Sequence, residues 1–291
     1  VLCAALGACA KGSAWPVALA FWDLLRSRRL RPDAAGLSAA VIACGRGSEW
    51  RTALVLFREG LALADPLHGI PADAGVVSAA VIACERGGAW SVASALLVDA
   101  RTASWPLDAI SFNAAISACG RHARWEQALS VLDSMVRPTQ VALPDRTTFN
   151  ATASSLERAS QWQRVLALFH DHRYTKEGID VVGFSVAISA CAGVAAWGRA
   201  LALLTDMRFA GLVPNAVSFN ATITACGRAT RQTQAMDLLL EMRLTEVQPS
   251  LVSFGAALSA CEQPGDWSAA VDLLAQMQTS TTDPDAVAWN A

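Results

Sequence analysis

Charge is scarce in this chain and neither sign dominates. Asp, Glu, Lys and Arg make up 16% of the 291 residues and the formal net charge is −2. No global basic field advertises nucleic acid or an anionic membrane. Tyrosine is nearly absent, with one residue, while apolar residues reach 53%. With alanine the dominant type, that balance favours packed helices over sheet. The eight cysteines include no Cys-x-x-Cys pair, which argues against zinc ribbons, redox motifs and a disulfide framework. No nucleophile elbow, phosphate loop, metal-ligand spacing or pair of catalytic carboxylates is present, so no enzyme activity, cofactor or metal is expected. His170 and His172 have no partner motif and are expected at the surface. The longest uncharged run, Val181 to Gly198, reaches the length of a membrane span but holds three glycines and two serines. It also aligns with charged copies of the same unit, so no membrane partner is expected.

What the chain does have is a period. Cys9, Cys44, Cys84, Cys119, Cys191, Cys226 and Cys261 mark it, with Leu156 in the remaining slot, at spacings of 35, 40, 35, 37, 35, 35 and 35 residues. Six residues after each marker stands Trp15, Trp50, Trp90, Trp125, Trp162, Trp197 or Trp267, with Gln232 the exception. Self-similarity at such a period is the mark of a repeat architecture and outranks every local signal. The series begins and ends partway into a unit, at Val1 and at Trp289-Asn290-Ala291. The chain is therefore expected to be a fragment, one array over 1–291 of about eight repeats with a ninth begun at Asp285.

Each unit reads as two helices. In the first, Phe112, Ile116 and Cys119 fall at i, i+4 and i+7, copied as Phe184, Ile188, Cys191 and Phe219, Ile223, Cys226. That spacing makes an apolar stripe on one face. A Gly-Arg step is expected to break this helix, and a second to begin near the Trp. Its expected stripe is Ala128, Leu129, Leu132, Met135, repeated as Ala235, Met236, Leu239, Met242 and Ala270, Val271, Leu274, Met277. Units close on Pro with a polar residue, as at Pro144-Asp145, Pro214-Asn215 and Pro249-Ser250. Proline halts one helix, and Asp, Asn or Ser caps the next. Extra residues fall between Arg58 and Asp73 and between Met135 and Asp145, where they lengthen a loop. One hairpin cannot bury its own apolar faces, so neighbours must stack as an all-α solenoid.

A 35-residue helix pair that opens on (Ser/Thr)-Phe-Asn-x-x-Ile-x-Ala-Cys and closes on Met-x-x-x-x-x-x-Pro-(Asp/Asn/Ser) resembles the pentatricopeptide repeat family, of the plain type. The resemblance covers essentially the whole chain. The tetratricopeptide pattern, with its own period and Trp-Leu-Gly-Tyr-Ala-Phe-Pro signature, does not fit. The resemblance implies a right-handed superhelix of stacked helix-turn-helix repeats that reads single-stranded RNA one base per repeat. It assigns base reading to two side chains per repeat, one near the start of the first helix and one closing the unit. Carried onto this sequence, the pairs are Cys3/Asp33, Ser38/Asp73, Ser78/Asp108, Asn113/Asp145, Asn150/Asp180, Ser185/Asn215, Asn220/Ser250 and Gly255/Asp285, with Asn290 opening the ninth. A side-chain amide suits a pyrimidine edge, and a shorter hydroxyl leaves room for a purine. By resemblance, Asn with Asp favours U, Asn with Ser leans to C, Ser with Asn favours A and Ser with Asp favours G. The implied site is x-G-G-U-U-A-(C/U)-x. Ile110, Val182, Val217, Val252 and Val287 stand where the family wedges an apolar side chain between bases, whereas Ala35, Gly75 and Thr147 fit that role poorly. Basic residues recur eight places after the first reading position, at Lys11, Arg46, Arg86, Arg121, Arg158 and Arg228, with Gly193 and Gln263 the exceptions, in register to follow a phosphate backbone.

Plainer roles stand beside these. The closing Asp, Asn and Ser residues are favoured N-caps, the arginines suit helix C-termini, the tryptophans suit packing between repeats, and the cysteines suit small buried slots. The expected partner is single-stranded RNA, an organellar transcript of chloroplast or mitochondrion, together with protein partners such as RNA-processing factors. The alternatives are a protein-binding solenoid and the targeting half of an RNA-editing or RNA-cleaving enzyme.

Overall fold

The computed structural model describes residues 2–12, 14–28, 33–62, 73–136, 143–171, 178–261 and 267–279. Among them lie sixteen helices, alternating in two kinds. The first helices are α1 Leu2–Gly12, α3 Ala34–Arg46, α5 Ala74–Arg86, α7 Ala109–Arg121, α9 Arg146–Arg158, α11 Val181–Gly193, α13 Ala216–Arg228 and α15 Leu251–Cys261. The second helices are α2 Trp15–Ser27, α4 Trp50–Ala62, α6 Trp90–Thr102, α8 Trp125–Met135, α10 Trp162–His170, α12 Trp197–Phe209, α14 Gln232–Leu244 and α16 Trp267–Thr279. Much of both loop insertions, His172 and the start of the ninth repeat (Asp285, Val287, Asn290) lie outside the described residues.

Contacts divide the chain into two compact units, Val1–Ser155 and Leu156–Ala291. In the first, α1 packs on α3, α3 on α5 and α5 on α7, so first helices stack on one another. Each of α2, α4 and α6 packs on its own first helix and also on the next one. The second unit repeats the scheme with α11, α13 and α15 stacked and α10, α12 and α14 bridging forward. The expected first-helix stripe is the core of this arrangement. Phe112, Ile116, Cys119, Phe219, Ile223 and Cys226 are all completely buried, each large apolar side chain stabilising the fold by about 1.5–3 kcal/mol. The register cysteines are buried free thiols. Desolvation pushes those of Cys84 and Cys226 up to about 11, so they pack as small neutral groups.

The second-helix stripe differs from the expected one. Ala235, Leu238, Leu239 and Met242 are buried, while Met236 is only partly so; Leu273 is buried and Val271 is exposed. At 3.6 residues per turn, Met236 and Val271 sit about 100° from the preceding alanine, whereas Leu238 and Leu273 fall back onto the alanine–methionine face.

The first helix stops at the Gly-Arg step, on the arginine and not on the glycine. Gly45, Gly120 and Gly227 are buried inside α3, α7 and α13. The glycines admit the neighbouring first helix. A Cβ on Gly45 would lie 2.8 Å from Ala83 Cβ, one on Gly120 3.1 Å from Ser155 Cβ, and one on Gly227 against the Ala256 carbonyl. The helix ends on the arginine, and two residues further on Ser48, Ala123 and Thr230 take φ of 61°, 52° and 55°. The carbonyls of Cys44, Cys119 and Cys226 then accept the N–H of Glu49, Arg124 and Arg231 at 3.0, 3.0 and 2.8 Å, closing a Schellman turn that launches the second helix.

Candidate nucleic-acid interface

The closing residues do cap the following helices. Asp33, Asp73, Asp108, Asp180 and Asn215 accept the backbone N–H three residues on, at 2.7–3.0 Å, as does Asp145 from Thr148 at 2.8 Å. At Ser250 the sense reverses: its own N–H donates to Ser253 Oγ at 2.9 Å.

Two of the expected reading pairs meet between successive repeats. Asn113 Nδ2 lies 3.3 Å from Asp145 Oδ1, and Asn220 Nδ2 lies 3.4 Å from Ser250 Oγ. Asn113 Nδ2 also donates to Thr147 Oγ1 at 2.5 Å. Burial alone would raise the carboxyl of Asp145. Hydrogen bonds from Thr147, from the backbone and side chain of Thr148 and from Asn113 outweigh that and lower it to about 2. Serine readers behave differently. Ser78 and Ser185 are buried and donate to the Ala74 and Val181 carbonyls of their own helices at 2.8 and 2.7 Å. Ser38 and Asn150 are half-buried. Asn150 belongs to the first unit and its partner Asp180 to the second.

The wedge positions stand out from the surface. Ile110, Val182, Val217 and Val252 are each more than half exposed, at the second residue of their helices. Val217 and Val252 line an open groove of about 390 Å³ together with Asn220, Thr224 and Arg228. Two expected wedges, an amide expected to read a base and a cation therefore share a single concavity over α11, α13 and α15.

The cations are partly engaged by the protein itself. Arg46 donates to the Ala10 carbonyl at 2.6 Å, Arg121 to that of Glu85 at 3.2 Å, and Arg228 to those of Ala192 and Gly193 at 3.2 and 3.1 Å. Each ties the C-terminus of one first helix to the next repeat. A guanidinium has five N–H donors, so such a bond leaves others to face outward. Arg121 also pairs with the Glu85 carboxylate at 2.9 Å. Lys11, Arg86 and Arg158 are exposed.

The tryptophans pack between repeats. The Trp15 and Trp50 rings fill the space a Cβ would need at Gly47 and Gly87. The guanidinium groups of Arg124, Arg199 and Arg231 lie 5.1, 4.9 and 4.6 Å from the rings of Trp90, Trp162 and Trp197. Trp267 departs from this and is 76% exposed. His170 is exposed, as expected. Among the described residues no cluster of His, Cys, Asp and Glu could hold a metal, and no helix is long and apolar enough to cross a membrane. Sequence reasoning missed two buried hydroxyls at this surface, Thr148 and Ser253; a polar residue three after a cap was their only signal.

Fold and surface together define a helical-repeat protein built of stacked helix pairs. The PPR repeat model matches residues 110–137 and the pentatricopeptide repeat domain model residues 169–229. Pentatricopeptide repeats are therefore present in this chain over those two stretches. The chain is similar in fold to the crystal structure of the pentatricopeptide repeat protein PPR10 from maize, with a TM-score of 0.59 at 20% identity over 99% of this chain and 45% of that one. A cysteine-substituted PPR10 in complex with an 18-nt PSAJ RNA element gives 0.66 at 15% identity, over 96% of this chain and 39% of that one. The chain thus spans less than half the length of either. No curated protein matches the sequence.

Proposed function

We propose that the chain binds single-stranded RNA in a sequence-specific way, one base per repeat, and acts by occupying its site on an organellar transcript. The observation that carries this reading is the groove at Asn220. Val217 and Val252, one repeat apart and both exposed, bracket a reading amide and an arginine in one open concavity. A base entering between them would bury two valine side chains, at about 25 cal/mol per Å² of apolar surface. Its edge would face Asn220 and Ser250, and its phosphate would lie within reach of Arg228. The fold likeness to PPR10, whose structure holds an 18-nt PSAJ RNA element, supports the same reading. Occupancy alone protects a transcript from nucleases or keeps it unfolded for processing.

The test is equilibrium binding to an RNA carrying GGUUAC against a scrambled RNA of equal composition, at two salt concentrations. The expected result is tighter binding to the GGUUAC strand and an affinity that falls with salt. Equal affinity for both strands would overturn sequence-specific reading, and affinity independent of salt would overturn phosphate contact.

A further inference from the structure

Two hydroxyls outside the family's reading positions occupy the same place in two repeats. Thr148 is the third residue of α9 and Ser253 the third of α15, and both are completely buried. Each accepts the backbone N–H of the closing residue before it, from Asp145 at 3.2 Å and from Ser250 at 2.9 Å. Each also reaches back one repeat to a reading asparagine. Thr148 Oγ1 donates to Asn113 Oδ1 at 2.6 Å, and Ser253 Oγ to Asn220 Oδ1 at 2.5 Å. Thr148 Oγ1 lies 2.8 Å from Asp145 Oδ1 as well, so its proton is shared between two acceptors.

The two ends of a carboxamide have nearly the same shape and opposite hydrogen-bonding sense. A half-turn about its bond exchanges the donor for the acceptor that a base would meet. Here both ends are held. Oδ1 takes the buried hydroxyl, while Nδ2 faces the closing residue, Asp145 or Ser250. Asp145 is a carboxylate and accepts only, which sets the same sense for Asn113.

Where the reader is serine, this contact to it is replaced. Behind Ser38 the corresponding residue is Val76, which has no hydroxyl. Behind Ser78 and Ser185 it is Ser111 and Ser218, and these turn onto their own caps, Ser111 Oγ to Asp108 Oδ1 at 2.7 Å and Ser218 Oγ to the Asn215 carbonyl at 2.9 Å. The reach to the preceding repeat accompanies the amide at Asn113 and Asn220; behind Asn150 the corresponding residue is Gly183, which has no hydroxyl.

We infer that Thr148 and Ser253 are positioning residues for base recognition, each fixing which end of the preceding repeat's asparagine amide is presented to the base. An asparagine repeat of this kind then reads with three residues rather than two. The role rests on the RNA reading proposed above.

Thr148→Val keeps the β-branched shape and removes the hydroxyl, whereas Thr148→Ser restores it. Both are compared with the unsubstituted chain on GGUUAC and on GGCUAC, which changes the base assigned to Asn113, and on GGUUGC, which changes the base assigned to Ser185. Thr148→Val is expected to lower the discrimination between the first pair by about five-fold, the scale of one hydrogen bond. Discrimination at the Ser185 base should be unchanged, and Thr148→Ser should recover the lost preference. A merely structural role would weaken binding to all three strands alike and leave their ratios intact. Unchanged ratios in Thr148→Val therefore overturn the positioning role while the RNA reading stands. No preference in the unsubstituted chain overturns both. Should Thr148→Val fail to fold, Ser253→Ala, with Ser253→Thr as its rescue, makes the same test at the last base of GGUUAC.

Discussion

The residue that separates capping from reading most cleanly is Asn215. Its Oδ1 accepts the Ser218 N–H at 3.0 Å in a reciprocal capping box. Aspartate at the same place keeps that acceptor and is an equally good cap. Asn215→Asp should therefore leave the melting temperature nearly unchanged while shifting the preferred base at the Ser185 repeat from A towards G. Melting curves and binding to strands differing at that base check both halves, and an unchanged preference in a chain that still binds RNA would confine Asn215 to capping. Asp145 offers a pH test. Burial raises its carboxyl, but the bonds from Thr147, Thr148 and Asn113 prevail and hold it at about 2 against the usual 3.8. The folded state thus binds its proton less readily than the unfolded chain. The stability this contributes is present in full above the unfolded value and is lost as pH falls through about 2. Asp145→Asn should melt lower than the parent at neutral pH, and the gap should close as melting is followed from pH 6 to 2. A gap that stays constant would mean that the carboxylate's charge contributes nothing.

At the scale of the helix, the deciding feature is how closely first helices approach. Gly→Ala inside a helix ordinarily stabilises by about 0.5–1 kcal/mol. At Gly45 the added methyl would meet Ala83 Cβ at 2.8 Å and its Cα at 3.0 Å, and at Gly227 it would meet the Ala256 carbonyl. Backbone cannot swing aside as a side chain can, and overpacking costs about 1–3 kcal/mol. Gly45→Ala and Gly227→Ala should each lower the urea midpoint, whereas Gly193→Ala, with nothing within 4 Å of its Cβ, should raise it. If all three rise together, the close approach is not a constraint. These glycines also show where the sequence could and could not be read. The Phe-Ile-Cys stripe was legible because three copies keep one face through a fixed period. The helix starts were legible because tryptophan and the Pro-Asp closures recur in register. Gly-Arg reads as a helix stop, and the close contact at its glycine shows only when the neighbouring helix is in place. Met236 misleads because the second helix carries so many Leu and Met residues that two registers fit. The pairs expected to read bases come from the family resemblance alone. Thr148 and Ser253 look like ordinary capping-box residues until the asparagine of the preceding repeat is placed beside them.

Over the whole molecule, the proposed binding of RNA has to be reconciled with a net charge of −2. Cations hold the register position in six of the eight repeats, with Gly193 and Gln263 in the other two, so the proposed contact to phosphate rests on local charge in register rather than on the global balance. If all six meet phosphates, the logarithm of the affinity should fall against the logarithm of salt with a slope of about −4. Arg228 is the place to test whether these cations serve the RNA, the fold or both, since it donates to the Ala192 and Gly193 carbonyls of the preceding first helix at 3.2 and 3.1 Å. Lysine keeps the charge but loses the planar guanidinium, whose Nη1 donates to both carbonyls. Glutamine loses the charge and keeps one short amide. Arg228→Lys should lower the melting temperature and leave the salt slope unchanged. Arg228→Gln should lower the melting temperature by a similar amount and reduce the slope by about 0.7, one phosphate's worth for a single strand. A slope unchanged in Arg228→Gln would give the arginine wholly to the protein, as a tie between successive first helices. A slope reduced with no change in melting would give it wholly to the RNA. The two carbonyl bonds together with the open groove predict that both quantities move, with the charge and the planar guanidinium acting separately.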